Sequence, residues 1–152
     1  MNMDQIWILE DPNDLIIALG DHLCNKCQYG DKISVLSPAE RVFYVTQELE
    51  MEVNNGGFSQ YFFNSAGNFA NELPEAYEEL GAVKTAELCR RAMSFFGTKV
   101  PTDRGERQKC MDDREEEADE LFEECDDAFY AYEEDLETLT YEYVLRNKDA
   151  FT

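Results

Sequence analysis

The sequence predicts an all-α protein, a single multi-helix domain (residues 1–152) with a long acidic C-terminal helix. Three observations carry that expectation. Helix-start signals precede runs of apolar residues spaced three and four apart, strand signals are poor, and no glycine or proline falls after Gly105. With 152 residues, 43% hydrophobic and 12% aromatic, the chain is long enough to bury a sizeable core despite its charge.

Asp11-Pro12-Asn13-Asp14 supplies an N-cap, a proline in the first turn and an early acid. Leu15, Leu19, Leu23 and Cys27 then follow at four-residue spacing, as a buried helical stripe requires. Ser37-Pro38-Ala39-Glu40 reads as a capping box, and Val42, Val45, Leu49 and Val53 form the stripe after it. Asn54-Asn55-Gly56-Gly57 is the expected stop of that helix. Short helical pieces are expected over residues 58–63 and 71–80, the second closed by Gly81. A longer one over 83–96 ends at Gly97, and Lys99-Val100-Pro101 forms the next joint. In the last third, Ala118, Phe122, Cys125, Phe129, Tyr132, Leu136, Leu139 and Tyr143 alternate spacings of four and three. They make one apolar seam, on one helix or on two with a small break near Glu133.

The chain holds 34 Asp and Glu against 13 Lys and Arg, a formal net charge of −21. That balance excludes a conventional basic face for direct nucleic-acid binding and disfavours docking to an anionic membrane. No apolar run approaches the length of a spanning helix. The first basic residue is Lys26, so the start does not read as a secretory signal, and a cytoplasmic protein is expected.

The acidity is concentrated. Residues 112–137 carry 15 acids and one base, Arg114. As one helix this tract would span roughly 39 Å, one net charge per roughly 2.8 Å. Duplex DNA carries one per about 1.7 Å of axis, or about 3.4 Å along one strand. Neighbouring carboxylates at i and i+4 repel, so the seam or a basic partner must offset the repulsion. The acids expected to meet such a partner are Asp112, Asp113, Glu116, Glu117, Asp119, Glu120, Glu123, Glu124, Asp126 and Asp127.

Other chemistry leaves weak traces. An EF-hand loop needs a mid-loop glycine, and the acidic tract has none. A di-iron bundle needs two histidines, and His22 stands alone. Cys24-Asn25-Lys26-Cys27 is a single C-x-x-C without a second knuckle, and Cys27 lies in phase with the apolar stripe, which favours a packed thiol. There is no G-x-S-x-G elbow, P-loop or dinucleotide turn. No catalytic residue, cofactor or metal is expected.

The most distinctive segment is Asn54-Asn55-Gly56-Gly57-Phe58-Ser59-Gln60-Tyr61-Phe62-Phe63-Asn64. Its glycines permit positive φ between two helices, and Phe58, Tyr61 and Phe62 would fill one face. The structural reading is a helix–loop–helix corner whose amides satisfy loop carbonyls. The functional alternative is a polar pocket around Asn54, Gln60, Tyr61 and Asn64, in a ligand-binding or hydrolytic domain.

This N-G-G-F-x-Q-Y-F-x-N pattern resembles the signature of a bacterial domain family named for an acidic DNA-mimic protein. The similarity runs on through Leu80-Gly81-Ala82, residues 86–96, Asp126-Asp127-Ala128-Phe129-Tyr130, Asp135-Leu136 and residues 143–151, covering most of residues 37–152. The resemblance implies a helical domain that competes with DNA for a basic DNA-binding protein, such as a transcriptional regulator, without catalysis or cofactor. In it Asn54, Gly56, Gly57, Phe58, Gln60, Tyr61, Phe62 and Asn64 are signature residues with a structural part. A homodimer remains open, as does an immunity-type or adaptor protein that binds its partner through the aromatic segment.

Overall fold

A computed structural model describes residues 1–152 and contains no strand, so the all-α expectation holds. The helices are α1 (Met3–Trp7), α2 (Pro12–Lys26), α3 (Pro38–Phe63), α4 (Leu73–Leu80), α5 (Val83–Met93), α6 (Arg104–Asp113), α7 (Glu115–Tyr130) and α8 (Leu136–Arg146). The chain divides into two units, residues 1–44 with 135–152, and residues 45–134.

In the first unit, Asp11 caps α2 by accepting the N–H groups of Asn13 and Asp14. Leu15, Leu19, Leu23 and Cys27 are all buried, as their spacing requires. Left-handed backbone at Gln28, Tyr29 and Gly30 stops the helix. The expected capping box opens α3: Glu40 N–H donates to Ser37 Oγ at 3.1 Å, and Ser37 N–H donates to Glu40 Oε1 at 2.9 Å. Glu40 is only 1% exposed, and its carboxylate is paired with Lys26 Nζ at 2.8 Å. Burying a carboxylate is costly unless such partners compensate it. Phe151 meets Trp7 and Phe43 edge-on, with centroids 6.4 and 6.0 Å apart.

In the second unit, α3 breaks at Gly56 and Gly57, the latter at φ 78°, and resumes over residues 58–63. Left-handed Gly81 ends α4. A 3-10 turn, Ser94–Phe96, extends α5 to left-handed Gly97. The core is aromatic. Phe62 lies 5.2 Å from Phe122 and 4.9 Å from Phe96, Phe95 lies 5.3 Å from Phe122, and Phe58 meets Phe129 at 6.2 Å. The signature segment and the apolar seam of the acidic tract therefore build the same core.

The acidic tract is not one rod. The backbone leaves helical geometry at Arg114 (φ −132°, ψ 49°), whose guanidinium sits 4.0 Å from the Phe95 ring centroid and donates to Phe95 O at 2.7 Å. It leaves again before α8, near Glu133, where the sequence allows a break. Tyr132 there takes φ 43° and is 40% exposed, although the seam's period would bury it. The acids of residues 112–137 are thus shared among the end of α6, all of α7, a turn and the start of α8.

Candidate functional site

Helix α7 carries nine acids and no base in 16 residues. Ala118, Phe122, Cys125 and Phe129 form its buried face, each at most 3% exposed. That burial answers the repulsion. Ten acid pairs stand at i+3 or i+4 on α7, costing about 2–5 kcal/mol together at a few tenths each. Burying Phe122 and Phe129 contributes about 3–6 kcal/mol.

The nine carboxylates divide by what they meet. On one flank Glu124 pairs with Arg91, and Glu117 lies 3.5 Å from Arg114. On the other flank Asp126 is half-buried and accepts the Phe58 N–H at 2.7 Å. Glu115, Glu116, Asp119, Glu120, Glu123 and Asp127 are exposed and have no ion-pair partner in the chain. Glu116, Glu120, Glu123 and Asp127, spaced four, three and four apart, make one ridge along the outward face. Over the helix's roughly 24 Å, six unpaired charges fall one per about 4 Å, close to the 3.4 Å of a single nucleic-acid strand. Asp112 and Asp113 are exposed at the end of α6. The unit of residues 45–134 holds 23 acids and 8 bases, net −15 of the chain's −21.

The signature segment is tied into the same helix. Phe58, Tyr61 and Phe62 are fully buried. Asp126 caps residues 58–63 from 68 positions away, and a Cβ on Gly57 would stand 2.3 Å from its Oδ2. Glycine at 57 is required twice, by φ and by this approach. Burial is the main force raising the Asp126 carboxyl above the ordinary aspartate range; the Phe58 N–H opposes it, and Asp127 and Glu123 add to it. Gly56 leaves room for Gln60, whose amide donates to Glu52 Oε2 at 2.8 Å, and Asn64 donates to the same oxygen at 3.0 Å. Asn54 turns instead to Tyr132 Oη at 2.8 Å, and that hydroxyl donates to Glu50 at 3.0 Å. Tyr61 Oη lies in the core without a hydrogen-bond partner, its pKa pushed well above the usual value chiefly by burial. The segment's polar groups thus brace the corner: Gln60 and Asn64 share one Glu52 oxygen, whereas Asn54 turns to Tyr132.

Sequence reasoning missed Arg107. It is fully buried, and its guanidinium donates to five oxygens: those of Phe62, Pro101, Thr102 and Asn64, and Asn68 Oδ1, at 2.8–3.1 Å. Arg104 and Gln108 donate to Phe63 O. Three cationic or amide groups therefore cap the C-terminal end of α3, where the helix dipole is negative. Gly67 sits against this guanidinium, its added Cβ 3.0 Å from Arg107 Nε. The one available signal was Asp103-x-x-Glu106, a helix start that places Arg107 in the first turn of α6.

Three of the five thiols, Cys27, Cys89 and Cys125, are buried. Cys27 is buried in the α2 stripe, burial pushes Cys125 up to about 11, and it pushes Cys89 higher still. His22 Nε2 lies 3.0 Å from Thr152 O. No group of three or more His, Cys, Asp or Glu side chains is placed to hold a metal ion. No helix is long and apolar enough to cross a membrane.

A model of the DMP19-like protein family, a family of DNA-mimic type that is generally non-enzymatic, matches residues 34–147. The match takes in the signature segment and the whole of α7, and the chain belongs to this family. Compared with curated proteins and with solved structures, the chain matches none.

Proposed function

We propose that this member of the DMP19-like family is a cytoplasmic, non-enzymatic DNA mimic that occupies the basic DNA-binding surface of a protein such as a transcriptional regulator. The observation that carries the reading is the exposed surface of α7, where six unpaired carboxylates fall one per about 4 Å of axis on a helix pinned by an aromatic core. Glu116, Glu120, Glu123 and Asp127 meet the partner's lysines and arginines, with Glu115, Asp119, Asp112 and Asp113 extending the surface. Glu117 and Glu124 contribute once Arg114 and Arg91 release them. Asp126 acts from beneath, by fixing α7 against the start of residues 58–63. The exposed acids need no reorganisation of the fold, so association is fast and strongly salt-dependent.

The test is capture of partners from the native lysate at low salt, with elution along a salt gradient. A DNA-binding protein is expected, displaced by its own DNA site. Glu116→Gln, Glu120→Gln, Glu123→Gln and Asp127→Asn together are expected to weaken its capture at least about a hundredfold, since each lost charge pair contributes about 1 kcal/mol. Unchanged capture by that fourfold variant, or affinity indifferent to salt, rejects the mimic.

A further inference from the structure

Residues 1–33 lie ahead of the region matched by the family model, and they carry a surface that the mimic reading leaves unused. A groove of about 570 Å³ runs beside α2, lined by the apolar Met1, Leu9, Ile17 and Ala18, by the carboxylates of Asp14 and Asp21, and by His22 and Asn25 beyond Asp21. Asp14, Ile17, Ala18 and Asp21 stand at i, i+3, i+4 and i+7, so they form one stripe of α2. The opposite stripe, Leu15, Leu19 and Leu23, is the buried one. Ile17 is 55% exposed, and Ile8 near the end of α1 is 77% exposed. Neither Asp14 nor Asp21 has an ion-pair partner in the chain. Exposed apolar side chains set between two unpaired carboxylates are more than scattered surface apolarity.

We propose that this groove binds an amphipathic basic helix of a partner protein, independently of the acidic ridge. The chemistry of the occupant follows from the lining. Asp14 and Asp21 are seven residues apart, about 10.5 Å along the axis, so a helix laid beside α2 meets both with lysines or arginines two turns apart. An aliphatic side chain between those cations covers Ile17 and Ala18. Charge decides against a second copy of this chain: a two-fold contact would set Asp14 and Asp21 against their own equivalents on a molecule of net −21.

The test uses the full chain and two fluorescent synthetic peptides of one composition. One is an amphipathic Leu/Lys helix with lysines every seventh residue facing the groove, and the other is its scrambled order. Fluorescence anisotropy is read at physiological and at high salt. The ordered peptide is expected to bind at least about tenfold more tightly than the scrambled one, and to retain binding at high salt through its apolar face. Ile17→Lys, at an exposed position, is expected to weaken it about tenfold with the melting temperature unchanged. Asp14→Asn with Asp21→Asn is expected to weaken it severalfold, whereas the fourfold ridge variant leaves it within about twofold. Equal binding of the two peptides overturns the proposal, as does indifference to Ile17→Lys. So does loss confined to the ridge variant, which would assign the peptide to α7 and leave the mimic reading standing.

Discussion

Gly57→Ala probes the joint on which the candidate surface rests. Two costs add. Gly57 has φ 78°, a region that costs an L-residue about 1 kcal/mol or more. The new methyl would also stand 2.3 Å from Asp126 Oδ2 and 2.8 Å from Cγ, so the carboxylate must move and its 2.7 Å bond from the Phe58 N–H is lost. A hydrogen bond to a charged group contributes about 1.5–3 kcal/mol. The sum is about 2.5–4 kcal/mol, or a fall of about 10 °C in melting temperature for a chain of this size. Urea unfolding followed by far-UV circular dichroism measures it. The same substitution in an Asp126→Gly background isolates the contact, because only the backbone cost of about 1 kcal/mol should remain. A Gly57→Ala cost below about 1 kcal/mol, or an equal cost in both backgrounds, would refute the account of why glycine stands there.

Arg107→Met should destabilise the chain by about 3–5 kcal/mol, since it strips donors from the oxygens of Phe62, Asn64, Pro101 and Thr102. Arg107→Lys should recover only part of this, because an ammonium offers three donors in place of a five-donor fork; denaturant titration of both variants decides. Asp126 and Asp135 should respond to pH in opposite senses. The folded Asp126 carboxyl titrates above the ordinary aspartate value, so its contribution is most favourable below that value and declines as pH rises through the raised one. Asp126→Asn should flatten that decline. Asp135, lowered by the Thr138 hydroxyl and N–H, stabilises at pH above the ordinary value and loses its effect as pH falls through the lowered one. Melting temperatures of Asp126→Asn and Asp135→Asn across the acidic range test both signs.

Local signals were legible and long-range ones were not. Asp11, Ser37, Gly81 and Gly97 mark element ends through bonds and dihedrals confined to a few residues, and each does so in the fold. Helix α6 was not separated from the acidic tract, because the Arg114 break depends on Phe95, 19 positions earlier. The charge count overstated what α7 can offer. Arg91 draws Glu124 from 33 positions away, and Asp126 is claimed by a backbone N–H 68 positions away. Neither pairing leaves a periodic trace. The aromatic signature pointed to a corner but not to its braces, since the amide of Asn54 and the hydroxyl of Tyr132 meet across 78 residues. The helix start at Asp103 places Arg107 but does not foretell its burial, because its acceptors are gathered from two separate stretches of chain.

On the ridge of α7, folding and the proposed binding pull apart. Glu116, Glu120, Glu123 and Asp127 take part in nine of the ten close acid pairs on the helix, and none of the four stabilises the fold through a bond of its own. Neutralising them should therefore raise stability, by about 1–3 kcal/mol at low salt and less as screening grows. A surface kept only for solubility would not need its charges crowded into repelling rows; one shaped for a basic cleft would. The fourfold amide variant measures both quantities in one molecule, by melting at low and high salt and by capture of the proposed DNA-binding partner. Gain of stability with loss of binding is the expected pairing. If the variant melts lower than the parent at low salt, the carboxylates have a structural duty within the fold, and the argument from crowding is wrong.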